Sequence, residues 1–433
     1  MTMTRASLVL SVVLAIIAAP QANGAAGKLD RTFGGDGKVR IDRTPDDRFA
    51  DVATQPDGKV VALLNTRTHR RYGALVVRLR ENGRFDRRFG KDGVQRIRLA
   101  GVERGRALVL QPDGRILAAF TSNPQLVSDP ELGSSFGVAR FRRNGRPDRT
   151  FDGDGIQTAK FEPGLSDASV SDIAVGPGND VVVVGRATDF GGSYIDFAVA
   201  RFEADGALDS DFSGDGRQTT AFSGESTDLA LGVAIDSQGR IVAVGTSKFL
   251  ACCGQRLVMA RYTTDGELDP TFSEDGRLIS DLGPIGHDVV TLPDDRIAVT
   301  GFGSGDLLVA RLTETGAPDL TFSGDGAEAV DFSGGPDKGY GMVLAGRKLL
   351  VAGFTRGRGG KDFAIARLTH DGTLDNRFSV DGRRVVDFAA TADIAEAVAI
   401  DPAGNVVAAG VVRGRGNRNH GNDAGAIRLT GGR

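Results

Sequence analysis

Carboxylates are the residues of this chain whose spacing comes closest to a chemistry. Asp152 and Asp154 flank a glycine and present hard oxygen ligands of the kind calcium takes. The phrase that carries them supplies only a pair of carboxylates per copy, whereas a calcium loop gathers more ligands over about a dozen residues. Calcium in these turns therefore competes with turns held by ion pairs, and no other cofactor is suggested. A second set, Asp51, Asp172, Asp228, Asp288 and Glu396, falls at or near the starts of strands expected to converge on one axis. Two such groups at a suitable separation would serve a hydrolase or lyase acting on polysaccharide; a carboxylate-ringed water channel is the plainer expectation. The histidines His69, His287, His370 and His420 stand in different parts of the chain without metal-site spacing. There is no phosphate loop, and no catalytic or metal residue is assigned. Cys252 and Cys253 are the only cysteines. Adjacent cysteines form either a strained vicinal disulfide, free thiols or a link to another chain.

Positive charge is concentrated in three loops. Arg67, Arg70 and Arg71 lie in one, Arg356, Arg358 and Lys361 in another, and Arg413, Arg415 and Arg418 in a third. Acidic residues Asp129, Glu131, Asp189 and Asp196 lie in other loops. If the three basic loops are neighbours, they form a crescent that attracts an anionic glycan, a wall polymer or an acidic surface protein. Ordinary solubilising charge is the competing reading. Nucleic acid is disfavoured, because no aromatic residues interleave with these arginines and the formal charge of the chain is -3.

The elements that must position these residues recur. A phrase ending in Phe, two residues, Asp-Gly is anchored at Asp36-Gly37, Asp92-Gly93, Asp154-Gly155, Asp215-Gly216, Asp275-Gly276, Asp325-Gly326 and Asp381-Gly382, at spacings of 56, 62, 61, 60, 50 and 56 residues. Between the first two anchors lie strand-length apolar runs at Val39–Ile41, Ala50–Thr54, Lys59–Leu64 and Ala74–Leu79, bounded by turn residues. The last period repeats them at Arg384–Phe388, Ile394–Ile400, Asn405–Ala409 and Gly425–Leu429. No segment reads as a helix. Four short strands per period predict an all-β fold, a seven-bladed β-propeller with four-stranded blades. A parallel β-helix is the main rival. The chain opens with one strand and closes with three, so the amino-terminal strand is expected to complete the last blade and close the ring.

An arginine stands eight residues before the first aspartate of each phrase: Arg78 and Asp86, Arg140 and Asp148, Arg201 and Asp209, Arg261 and Asp269, Arg311 and Asp319, Arg367 and Asp375. Arg428 lacks a downstream partner, and ring closure would give it Asp30 or Asp36. These pairs read as structural staples, since a planar guanidinium fixes a carboxylate in place. Phe33, Phe89, Phe151, Phe212, Phe272, Phe322 and Phe378 read as plugs between blades, and the Asp-Gly pairs as turns.

With these motifs in view the chain resembles the delta-60 repeat proteins. Their phrase runs through Val199–Phe202, Asp205–Gly206, Leu208–Asp209, Phe212 and Asp215–Gly216, with Pro56-Asp57-Gly58-Lys59 as the upstream turn. The upstream turn departs from that wording at Pro177-Gly178-Asn179, Pro293-Asp294-Asp295 and Ala345-Gly346. The resemblance spans about residues 29–429 and implies propeller-like blades in an exported or cell-surface bacterial protein. It brings no agreed activity and no catalytic residues.

Residues 1–26 read as a signal peptide: Arg5 precedes the apolar run Leu8–Ala19, which is too short to span a bilayer, and Ala22–Ala26 offers small residues for cleavage. Residues 27–433 are then one domain, secreted or periplasmic, with association with the cell surface as the further expectation. Glycine numbers 61 of 433 residues at scattered turn positions, which excludes a collagen-like period, and two adjacent cysteines exclude a disulfide framework.

Overall fold

The computed structural model describes residues 26–431 apart from 69–70, 100–101, 124–132, 162–164, 190–194, 250–253, 333, 358, 389–391 and 414–420. The signal-peptide expectation therefore falls outside the described residues, except at Ala26.

Among the described residues, twenty-eight strands follow one another. After β1 (Lys38–Ile41) come β2 (Asp46–Thr54), β3 (Val60–Thr68), β4 (Arg71–Leu79) and β5 (Val94–Arg96). The next group is β6 (Val102–Leu110), β7 (Ile116–Ser122), β8 (Ser135–Phe141) and β9 (Ile156–Ala159). Then run β10 (Leu165–Val175), β11 (Val181–Asp189), β12 (Ile195–Phe202) and β13 (Arg217–Thr220). They are followed by β14 (Ser226–Ile235), β15 (Ile241–Phe249), β16 (Gly254–Tyr262) and β17 (Arg277–Ser280). Next are β18 (Ile285–Thr291), β19 (Ile297–Gly303), β20 (Asp306–Leu312) and β21 (Ala327–Val330). The chain continues through β22 (Lys338–Ala345), β23 (Lys348–Gly357), β24 (Gly360–Leu368) and β25 (Arg383–Val386), and ends with β26 (Asp393–Ile400), β27 (Val406–Arg413) and β28 (Asn422–Leu429).

Each group is an antiparallel meander, and the result is an all-β, propeller-like fold of four-stranded sheets. One eight-stranded sheet consists of two such groups joined by a single parallel pairing, Ile195 with Thr227. The second strand of each group is an unbroken β-branched or aliphatic run, as at Val181–Val184 and Ile116–Ala119, because both of its faces are covered by neighbouring sheets. The cores lie between successive sheets. Phe136 meets Phe161 edge-on at 4.9 Å, and Phe197 meets Phe222 at 5.0 Å.

β1 joins the last sheet. It pairs with β28 in the register Lys38 to Ile427 and Ile41 to Ala424, giving the order β1-β28-β27-β26. Phe33, Ile41, Phe49 and Val60 share one apolar cluster with Ala397, Val407 and Ala424, so the two ends of the chain bury surface together. The strand runs read from sequence all exist, and the structure mostly extends them outward. The Ala50–Thr54 run is the end of a strand that begins at Asp46, and Ala74–Leu79 begins at Arg71. The extensions start with charged residues, Asp46–Arg48 and Arg71, and charged residues at a strand end carry no apolar signal. No helix is long and apolar enough to cross a membrane among the described residues.

Candidate functional site: the central cavity and the loop face

The first strand of every group, β2, β6, β10, β14, β18, β22 and β26, contributes to a single cavity of about 510 Å³. Each of these strands carries a bulge in its middle, where two residues face one on the partner strand. The doublets are Ala50-Asp51, Arg106-Ala107, Ser171-Asp172, Leu231-Gly232, His287-Asp288, Tyr340-Gly341 and Glu396-Ala397. The second member thus alternates aspartate with a small residue until the last strand, where alanine follows glycine.

Every aspartate in that series ties its strand to the next group. Asp51 Oδ2 accepts the Leu108 N–H at 2.6 Å, Asp172 Oδ2 the Val233 N–H at 2.8 Å, and Asp288 Oδ2 the Met342 N–H at 2.6 Å. The other oxygen of each accepts the N–H of its own following residue: Val52 at 2.6 Å, Ile173 at 2.8 Å and Val289 at 2.8 Å. The alternation follows from space. A Cβ on Gly232 would come within 2.9 Å of Asp288 Cα, and one on Gly341 within 2.9 Å of Ala397 Cα. Burial, added to by the charge of Asp172, pushes Asp51 up to about 7 against the pull of its two N–H donors. Burial likewise lifts Asp172 to about 6, and lifts Asp288 well above the carboxylate range with help from the charges of Asp172 and Asp51.

The first members of the doublets supply the remaining chemistry. Burial lowers His287 to about 4, with Lys338 adding to the effect, so its imidazole is neutral at neutral pH. Its ring lies 4.6 Å from that of Tyr340, and its Nε2 has no protein partner. Burial, then the charge of Glu396, raises Tyr340 to about 12. Glu396 is itself raised by burial, opposed by Arg48 and Arg106.

The sequence-derived carboxylate set needs one correction. Asp51, Asp172, Asp288 and Glu396 line the cavity, but Asp228 does not. It lies three residues before the Leu231-Gly232 bulge of β14, fully buried, and accepts the Phe222 N–H at 2.9 Å and the Ser226 hydroxyl at 2.9 Å. Its strand begins further out than its apolar run suggests. The cavity residues that sequence reasoning missed are Tyr340, Arg48, Arg104 and Arg106. Their usable signal was the glycine or alanine recurring where other copies hold aspartate, which marks the bulge.

The seven arginine–aspartate pairs all form: Arg78 with Asp86, Arg140 with Asp148, Arg201 with Asp209, Arg261 with Asp269, Arg311 with Asp319, Arg367 with Asp375 and Arg428 with Asp30. Each guanidinium also lies over the phrase phenylalanine, from 4.7 Å at Phe89 to 5.1 Å at Phe33. Six of the arginines donate onward to a backbone carbonyl of the following group, at Arg143, Ala204, Thr264, Glu314, His370 and Gly431. In the Asp-Gly turns, Asp36, Asp154, Asp215, Asp275, Asp325 and Asp381 accept the backbone N–H two residues on. The paired glycines, Gly155 at φ 97° for example, adopt the left-handed region.

On the loop face, Arg67, Arg356 and Arg413 are exposed at the ends of β3, β23 and β27, equivalent second strands of three sheets. Arg67 and Arg104 lie 5.2 and 5.0 Å from the Tyr72 ring. Lys361 pairs in register with Arg356, its Nζ 4.0 Å from the Phe354 ring centre. Arg70, Arg358, Arg415 and Arg418, the side chain of Arg71, His69, His420 and the pair Cys252-Cys253 lie outside the described residues.

Sheets and cavity together define a β-propeller-like protein. Residues 179–212, 237–272, 292–322 and 347–378 match a family described as a domain of unknown function (DUF5122) beta-propeller, each segment covering the second and third strands of a group and its phrase. No curated protein sequence matches the chain. Among solved structures the chain is similar to the polysaccharide lyase Uly1, with a TM-score of 0.52 and 10% identity over 94% of this chain and 100% of that one. It is also similar to the WD40 repeats of RRP9, at 0.50 and 9% over 94% and 99%. The β-propeller domain of the Trilobed protease from Pyrococcus furiosus, described as an open velcro topology, scores 0.48 at 11% over 90% and 95%. Identities this low speak for the fold alone.

Proposed function

We propose that the chain is an exported seven-bladed propeller of the delta-60 kind, its ring completed by β1, and that it binds an anionic surface polysaccharide through its loop face without catalysing a reaction. The observation that carries this is the placement of Arg67, Arg356 and Arg413, exposed at equivalent strand ends of three sheets that follow one another if β2–β5 adjoins β26–β28. The aspartates of the cavity support it from the other side. Each has both oxygens engaged by backbone N–H groups, the role of a clip between sheets rather than of a general acid.

The test is binding of dextran sulfate, with neutral dextran as control, at about 50 and 200 mM salt. Dextran sulfate should bind, weaken as salt rises, and weaken further in Arg67→Ser/Arg356→Ser/Arg413→Ser while the circular dichroism stays unchanged. Equal binding by the triple variant overturns the loop reading. Capture of an acidic protein in preference to the polymer would make the partner a surface protein. One observation favours a polysaccharide hydrolase or lyase instead: neutral His287 with an unpartnered Nε2 against Tyr340 in the cavity. Reducing ends released from an anionic polysaccharide, and lost in His287→Asn, would establish that reading.

A further inference from the structure

Two sheets carry the same trio of aspartates at the loop face. Where β20 pairs with β21, the residue before Leu307 and the residue after its partner Val330 are Asp306 and Asp331, and Asp337 completes the trio just before β22. Where β24 pairs with β25, Phe363 and Val386 are flanked in the same way by Asp362 and Asp387, and Asp393 opens β26. In each trio one oxygen from every carboxylate lies within 4.8 Å of the others. Oxygens bound at about 2.4 Å to a single calcium ion are at most about 4.8 Å apart, so the trios already meet the span of one ion's ligands.

Burial supplies the second observation. Asp337 and Asp393 are both fully buried. Asp337 Oδ2 accepts the Phe332 N–H at 2.7 Å and Asp393 Oδ2 the Phe388 N–H at 2.8 Å, yet the Oδ1 of each has no protein partner. An ionised oxygen buried without a donor is costly unless something positive meets it. The like charges also act on one another. After burial, the neighbouring carboxylates raise Asp306, and they help push Asp393 up to about 6, with the charge of Arg40 pulling the other way.

Equivalent positions elsewhere show how the fold manages without a metal. At β16 and β17 the flanking pair is Arg256 and Asp281, an ion pair. At β28 and β1 it is Asp423 and Asp42, and there Arg40 Nε binds Asp423 at 2.6 Å. The third member, Asp47, has both oxygens satisfied, Oδ1 by the Thr44 hydroxyl at 2.5 Å and Oδ2 by the Thr44 N–H at 2.8 Å.

We infer that each trio, Asp306/Asp331/Asp337 and Asp362/Asp387/Asp393, holds one calcium ion that joins consecutive sheets at the loop face. The buried aspartate contributes its free oxygen, the other two close the carboxylate side, and carbonyl oxygens or water complete a shell of about six to eight ligands. This site is distinct from the Asp-Gly turns and does not rest on the polysaccharide reading.

Titration of the chelator-stripped chain with calcium chloride by isothermal calorimetry tests it. One ion should bind per trio, with Asp337→Asn losing one and Asp337→Asn/Asp393→Asn losing both, or weakening them by at least about tenfold. Asparagine keeps the acceptor for Phe332 or Phe388. If these variants fail to fold, Asp306→Asn/Asp362→Asn at the rim should produce the same loss. Absence of binding up to about 10 mM calcium overturns the inference, since even weak extracellular sites fall below that range. Stoichiometry unchanged in both double variants overturns it as well, by placing the ions elsewhere.

Discussion

Replacing Arg78 by methionine removes one staple while keeping most of its apolar volume. Arg78 and Asp86 are 6% and 3% exposed. The guanidinium reaches Asp86 Oδ2 through Nε at 3.0 Å and Nη2 at 2.9 Å, and its Nη1 donates to Gln55 Oε1 at 3.1 Å and to the Arg143 carbonyl at 2.6 Å. It lies 4.7 Å from the Phe89 ring centre. Breaking a buried pair from one side costs about 3–5 kcal/mol, because the remaining charge stays buried. Arg80, 3.9 Å from Asp86 and half exposed, offsets part of this, so about 3 kcal/mol is expected. Adding Asp86→Leu should recover most of the loss, to within about 1 kcal/mol of the parent, since no charge is then stranded. Lys59→Met is the control. It breaks an ion pair with Asp57 whose side chains are 29% and 35% exposed, and should cost less than about 1 kcal/mol. Equilibrium urea unfolding reads these differences as midpoint shifts at constant slope. If Arg78→Met costs no more than the control, the staples do not hold neighbouring sheets together.

Two further predictions follow from charge and from strand order. Burial holds Asp51, Asp172 and Asp288 above their ordinary range, so between about pH 4 and pH 7 the folded chain binds more protons than the unfolded one and loses stability as pH rises through that window. Asp148 and Asp269 shift the other way, because hydrogen bonds from Thr150 and Thr271 and the charges of Arg140 and Arg261 outweigh their burial; their contribution is lost as pH falls below about 4. The urea midpoint should therefore peak near pH 5, and Asp51→Asn should flatten its fall toward pH 8; a parent midpoint constant over that range contradicts the assignment. Deleting residues through Ile41 takes Asp30 from Arg428, a contact of 2.8 Å, and strips β28 of its outer partner. The melting temperature should drop and light scattering should report association through the bared edge; a monodisperse chain with unchanged melting would show that β1 is dispensable.

The repeat made the sheets legible, because a turn phrase and four apolar runs per period leave few alternatives. The Arg–Asp spacing of eight carried through for the same reason: a pair repeated at a fixed separation in a repeated element meets in every copy or in none. The phenylalanines were legible as plugs but not as platforms beneath the guanidiniums, since a cation–π contact has no sequence period of its own. The cavity was read in part. Asp51, Asp172 and Asp288 line it, while Asp228 belongs to the loop end of its strand, because a bulge shifts the inward-facing residues by one and an apolar count cannot locate it. The aspartate trios were illegible in advance. Their members come from three strands or strand ends and meet only through register, so Asp306 and Asp331 are neighbours in the sheet although 25 residues apart in sequence.

Hydrogen–deuterium exchange with and without an anionic polysaccharide separates the loop face from the cavity in one experiment. Protection should appear around Arg67, Arg356–Lys361 and Arg413, and be absent from Ala50–Val52, Ser171–Ile173 and His287–Val289. Protection confined to those cavity strands, with the loops unchanged, would contradict recognition through the loops.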